Sequence, residues 1–115
     1  MSGGVSLFDD QITGSKPARA VIYDVDVDAG VATPSWQYVA KSPSSGMGSF
    51  RLTADGSRVI GWGAGGTFVT LTEVDEAGND LLEFSFPAGS QSYRALKVPT
   101  SQFDLGVLRE SVGAD

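Results

Sequence analysis

The chain has no cysteine and no histidine. Without cysteine there is no disulfide framework, no thiolate metal site and no cysteine nucleophile. Without histidine the commonest general base near neutral pH is gone, and with it any Ser-His-Asp triad and the commonest metal ligand. No catalytic residue, metal ligand or cofactor is therefore expected. Basic residues are scarce too: eight Lys and Arg face fourteen Asp and Glu, a formal net charge of -6. Such a chain repels phosphate backbones and anionic bilayers and has no basic cluster to override that, so neither nucleic acid nor a membrane is an expected partner. No apolar run nears the roughly 20 residues of a spanning helix. The start, MSGG, has neither the basic n-region nor the apolar centre of a signal peptide, and on that reading the chain stays where it is made, in a compartment the sequence leaves unknown.

What is present reads as strands. The 115 residues, 41% of them hydrophobic, suffice for one domain. "VSLFD" (5–9), "RAVIYDVDV" (19–27), "PSWQYVA" (34–40), "GSFRLTA" (48–54), "SRVIGWG" (57–63), "TFVTLTEV" (67–74), "DLLEFSF" (80–86) and "SYRALKV" (92–98) are short, rich in β-branched and aromatic residues, and separated by Gly, Pro, Asp, Asn and Ser. Fifteen glycines and five prolines leave little room for helices, and only residues 100–112 are expected to form a short helical turn. Asp55-Gly56 is the pair that gives positive φ at both central residues of a tight turn, which makes the runs around it a hairpin. Asp28-Ala29-Gly30 and Glu76-Ala77-Gly78 read as slightly longer turns closed by a left-handed glycine.

The stretch "DVDVDAG" (24–30) invites comparison with a calcium loop. A helix-loop-helix site wants glycine sixth and a bidentate glutamate twelfth, whereas Gly30 is seventh and Ser35 twelfth. In a strand, Asp24, Asp26 and Asp28 simply share one face and Tyr23, Val25 and Val27 the other. The same stretch opens a repeat. Residues 21–40 align with 69–88, so that Val21 meets Val69, Gly30 meets Gly78, Trp36 meets Phe84, Tyr38 meets Phe86 and Ala40 meets Ala88. "VSLFD" resembles "VIGWG" (59–63), and Ser49-Phe50-Arg51 resembles Ser92-Tyr93-Arg94.

A repeat of 40 to 50 residues with four short strands is the signature of a β-propeller blade. Residues 48–87 form one complete blade, the upstream runs supply a second, third and fourth strand, and 92–98 supplies an innermost strand. Residues 1–99 thus hold two blades' worth of antiparallel strands, followed by a tail, 100–115. An eight-stranded sandwich or barrel suits the size as well; the repeat argues for the propeller. "GSFRLTADGSRVIGWG" and "LTEVDEAGNDLLEFSFPAGSQSYRALKVP", preceded by "VSLFDD" and "ARAVIYDVDVDAGVATPSWQYV", resemble the C-terminal half of arylsulfotransferase-type propellers over residues 5–99. The resemblance implies a six-bladed propeller, often secreted, whose enzymes transfer a sulfuryl group between phenols through a sulfated histidine on the axis. That histidine is missing here. What carries over is an anion-binding environment, with Arg51 and Arg94 at equivalent repeat positions on the innermost strands, where guanidinium groups bind sulfate, phosphate or carboxylate bidentately; the plainer reading, favoured by the residues alone, pairs each arginine with a strand acid.

Other motif-like features have plainer readings. "GWGAGG" (61–66) matches the dinucleotide pattern, yet a strand and not a helix follows it. Trp36, Trp62, Phe84 and Phe86 suit packing between blades better than sugar stacking. Asp9 and Asp10 suit a solvated loop. Two functions follow from the sequence. One is a non-catalytic module that assembles head-to-tail with copies of itself by strand exchange, 92–98 of one chain completing the unfinished blade of the next, as a cyclic homotrimer if the six blades that the resemblance implies hold, and binds a small anionic or carbohydrate ligand at the axis. The other is a separately encoded or excised piece of a larger sulfotransferase-like enzyme.

Overall fold

Alternation of apolar and polar residues, broken by turn residues every few positions, resolves into antiparallel strands in the computed structural model, which describes residues 2–11, 16–41, 44–64 and 69–113. The described residues form β1 (Ser2–Asp9), β2 (Arg19–Asp26), β3 (Val31–Val39), β4 (Ser49–Leu52), β5 (Arg58–Gly61), β6 (Leu71–Val74) and β7 (Asp80–Phe84), then a 3-10 turn (Thr100–Gln102) and α1 (Leu105–Ser111). Strands β1 to β3 make one sheet and β4 to β7 another, each strand paired with the next in the chain. The mostly β content and the four-strand unit at 48–87 agree with the sequence, as does the short helix within 100–112.

The sheets stack face to face. Ala18, Ala20, Phe50, Ile60, Trp62 and Val74 are buried between them, with Phe8, Ile22, Trp36 and Tyr38 packed around. Trp36 from β3 lies parallel to Phe50, with ring centroids 5.5 Å apart, and the Arg58 guanidinium sits 4.9 Å from the centre of the indole. Its Nε1 donates to the Glu76 carbonyl at 3.1 Å, so one residue of the first sheet is tied to three residues of the second. Trp62 answers from the other side: it meets Phe8 edge-on at 5.9 Å and donates through Nε1 to Thr72 Oγ1 at 2.8 Å. Both indoles have their polar atom satisfied, which burial of tryptophan requires.

Three details differ from the sequence reading. The Asp55-Gly56 turn has positive φ at Gly56 alone (86°). Bonds from Gly56 N to Thr53 O and from Thr53 N to Ser57 O enclose three residues rather than two, and the third, glycine, takes the left-handed position. Second, the repeat slips by one residue. The path from Ile22 to its partner Trp36 is one residue longer than that from Leu71 to Phe84, so Ile22 corresponds to Leu71 and not to Thr70. A one-residue slip exchanges the two faces of a strand, so the alignment of β2 with β6 by sequence assigns the faces wrongly, whereas Trp36 and Phe84 do correspond. Third, 92–98 is not a strand: it lies across the face of the second sheet, where no backbone ladder is available to it.

Glycines mark the places where backbone meets backbone. Gly30 (φ 67°) and Gly78 (φ 87°) close their hairpins as expected, with open space where a Cβ would stand. A Cβ on Gly63 would instead lie 2.6 Å from the Gly46 carbonyl oxygen, and one on Gly61 2.8 Å from the Ala95 nitrogen. These contacts account for Gly61 and Gly63 of "GWGAGG" without a nucleotide; Gly65 and Gly66 lie outside the described residues. Asp26 Oδ1 accepts from the Asp28 and Ala29 amides, and Asp24 Oδ1 accepts from Ser35 Oγ. Asp26 thus shapes the turn and Asp24 bonds the residue at the bulge, while Asp28 lies in the turn and not on the strand face expected for it.

Two stability outcomes follow. Gly30→Val and Gly78→Val should each cost about 1 kcal/mol through conformation alone, and Gly63→Ala should cost more because it also clashes with backbone. Trp36→Ala should cost roughly 3 kcal/mol. Urea denaturation midpoints read all four; an unmoved midpoint for Trp36→Ala would mean that the two sheets do not depend on the indole.

Candidate anion-binding cleft

The 92–98 segment creates the site. Ser92-Tyr93-Arg94 follows β7 and turns back over β4 and β5. The Gly48 amide donates to the Tyr93 carbonyl at 3.2 Å, and the Ala95 amide donates to Ser49 Oγ at 2.9 Å. Ala95 and Lys97 point to the sheet because they alternate with Arg94 and Leu96. Lys97 Nζ reaches Glu73 Oε1 at 2.6 Å and Asp55 Oδ2 at 2.8 Å, which clasps the segment across the sheet. Asp55 also accepts from Ser57 N and from the Thr53 hydroxyl.

These bonds set the titration of the clasp. The hydrogen bond from Lys97 first, then those from Thr53 and Ser57, hold the Asp55 carboxyl below the ordinary range. Lys97 does the same to Glu73, and the bonds to Asp55 and Glu73 raise Lys97 in turn.

Between β1, β4 and this segment lies an open cleft of ≈ 420 Å³ lined by Ser6, Phe8, Ser49, Arg51, Tyr93 and Arg94. The structure thus brings both arginines singled out from the sequence to one opening. Both are exposed. Among the described residues neither has an ion pair, whereas Arg19 pairs with Asp9, Lys41 with Asp80 and Glu83, Arg58 with Glu76, and Lys97 with Asp55 and Glu73. Strand acids therefore do not consume Arg51 and Arg94. A guanidinium presents a fork of donors to an oxyanion of the sulfate, phosphate or carboxylate kind, and two of them line this cleft.

Sequence reasoning missed the residues that build this site's surroundings. Arg58 is buried beneath Trp36 and donates to the Gly56 carbonyl at 3.0 Å, while its Nε has no hydrogen-bond partner among the described residues. Lys97 was legible only as an alternation partner of Ala95. On the far side of the sheets, Tyr38 donates to Asp80 Oδ1 at 2.6 Å beside Lys41 and Glu83. Burial, then the bond to Asp80, pushes the Tyr38 phenol up to about 12. A phenol so firmly protonated is a poor nucleophile, and the adjoining cavity of ≈ 20 Å³ has room for little more than a water molecule. Asp9 is likewise engaged, accepting from Arg19 Nε at 3.0 Å and from the Gln11 amide.

Because Asp55 and Glu73 bind protons more weakly in the folded chain than in the unfolded one, the clasp is at full strength above the ordinary carboxylate range. It is lost as pH falls through their lowered folded values. The protection factor of the Ala95 amide in hydrogen exchange should fall over that acidic interval. Lys97→Met should loosen the amide already at neutral pH, and equal protection in both proteins would show that the clasp does not hold the segment. No family model, curated protein or solved structure matches the chain.

Proposed function

We propose that the chain is a non-catalytic propeller module that binds a small anion, of the sulfate, phosphate or carboxylate class, between Arg51 and Arg94. The observation that carries this reading is the meeting of two exposed arginines without ion pairs at one cleft in a chain of net charge -6. Of the six other cations, four find carboxylates among the described residues, while Lys16 and Arg109 do not share an opening with a second cation. The propeller reading is supported by two stacked antiparallel sheets whose strands follow one another in sequence and whose Trp36 and Phe84 occupy matching places. The arylsulfotransferase-like residues supply the expectation of six blades, and with it a cyclic homotrimer as the assembly. A carbohydrate ligand has less support, since Trp36 and Trp62 are both engaged between the sheets.

Sulfate or phosphate, compared with chloride at equal ionic strength, should raise the melting temperature, because a ligand that binds the folded state stabilises it by mass action. The Arg51→Ala, Arg94→Ala double variant should lose that response. An equal shift in both proteins would place the effect in the solvent and defeat the site. Aryl sulfate with a phenol acceptor should show no turnover above buffer, as no histidine or cysteine is present to carry the sulfuryl group; turnover abolished by replacing a tyrosine would overturn the non-catalytic reading.

A further inference from the structure

The two sheets correspond through their paired positions, and each exposes the face that the other buries. Ile22 and its partner Trp36 stand where Leu71 and Phe84 stand in the second sheet, which puts Tyr38 over Phe86. Carried into β1 and β5, the same register puts Val5 over Ile60 and Leu7 over Trp62, one residue away from the sequence match of Val5 with Val59. Trp36 and Tyr38 are packed into the interface, yet their counterparts Phe84 and Phe86 are 51% and 42% exposed, one ring edge-on to the other. Ile60 and Trp62 are buried, yet their counterparts Val5 and Leu7 are 48% and 39% exposed. The inserting face of the second sheet is open at Phe84 and Phe86, beyond the 92–98 segment, and the receiving face of the first is open at Val5 and Leu7, beside Val21, which is buried, and Arg19, which bonds Asp9, Gln37 and Tyr23.

The 92–98 segment makes the correspondence complete. It lies over the second sheet, with Ala95 against Gly61, as β4 lies over the first sheet beside β1. It carries Ser92-Tyr93-Arg94 where β4 carries Ser49-Phe50-Arg51. Phe50 stands opposite Ile60 in the β4–β5 ladder, and Val5 is the counterpart of Ile60. In the free chain that ladder has no equivalent for 92–98, and the outer edge of β1 has no strand beside it among the described residues.

We propose that the open face of the second sheet docks on the open face of the first sheet of a second copy, with 92–98 pairing antiparallel to β1 of that copy so that Tyr93 stands opposite Val5. This rests on the module reading above and names its partner. The contact is head-to-tail, so it propagates from copy to copy until a ring closes, and it covers the strand edge that would otherwise invite unspecific pairing.

A chain without cysteine makes the register directly testable. Val5→Cys and Tyr93→Cys single variants, refolded together and oxidised, should give a disulfide-linked heterodimer that neither variant gives alone, since directly opposed residues bring their Cβ atoms within bridging range. Light scattering of the unmodified chain should give a discrete oligomer. Leu7→Asp and Phe84→Asp, at sites exposed in one chain, should keep its circular dichroism and yield monomers. A monomer for the unmodified chain overturns the proposal, as does an oligomer that lacks the 5–93 link and survives both aspartates. The sulfate response is read in parallel. A monomer stabilised by sulfate through Arg51 and Arg94 sinks the docking and keeps the binding reading, whereas a linked ring indifferent to sulfate does the reverse.

Discussion

The clamp on Trp36 is the contact on which the rest depends. Phe50 covers one face of the indole and the Arg58 guanidinium approaches its ring, and a backbone carbonyl from the β6–β7 turn receives its nitrogen. The two sheets share one core, so the apolar face of each is covered by the other. The indole supplies apolar area, a stacking partner and a directional hydrogen bond in one side chain, and so fixes both the distance and the relative shift of the sheets. With that shift fixed, β4 comes to lie beside β1, and the wall carrying Arg51 faces the strand edge that bounds the cleft.

Charge is distributed in two layers around this apolar join. Tyr38, Lys41, Asp80 and Glu83 bind the sheets at one rim, and Lys97 with Asp55 and Glu73 binds the crossing segment on the other sheet. These are exposed or partly exposed pairs, whose separate contributions to stability are small. Their value is geometric: they decide which faces stay covered and leave Arg51 and Arg94 outside the network. Four of the eight cations are paired with carboxylates, and two of the others, Arg51 and Arg94, share one opening.

The strands were legible because Val, Ile, Phe and Tyr alternate with polar residues between glycine and proline punctuation, a signal intrinsic to the pleat. Arg51 and Arg94 were legible as a pair because both follow a serine and an aromatic in a repeated triplet. The faces of β2 and β6 were not, since an additional residue inside a hairpin leaves the alignment of identical letters intact while reversing the sides. Arg58 was invisible for another reason. Its burial depends on an aromatic ring 22 positions upstream in a different sheet, and nothing in its neighbours announces that. The 92–98 run satisfies every local criterion for a strand; whether it becomes one depends on a ladder that the chain does not offer it.

Pairing of each strand only with its chain neighbour has a kinetic meaning. Every ladder is closed by a short connection, so the loop entropy of forming a sheet is small, and the sheets can assemble independently of each other. Distant parts of the sequence are joined by the stacking of the sheets around Trp36 and Trp62 and by the 92–98 segment on the second sheet. A chain organised in this way grows or shrinks by whole sheets without re-threading any connection, the property that lets repeat architectures change their length by duplication.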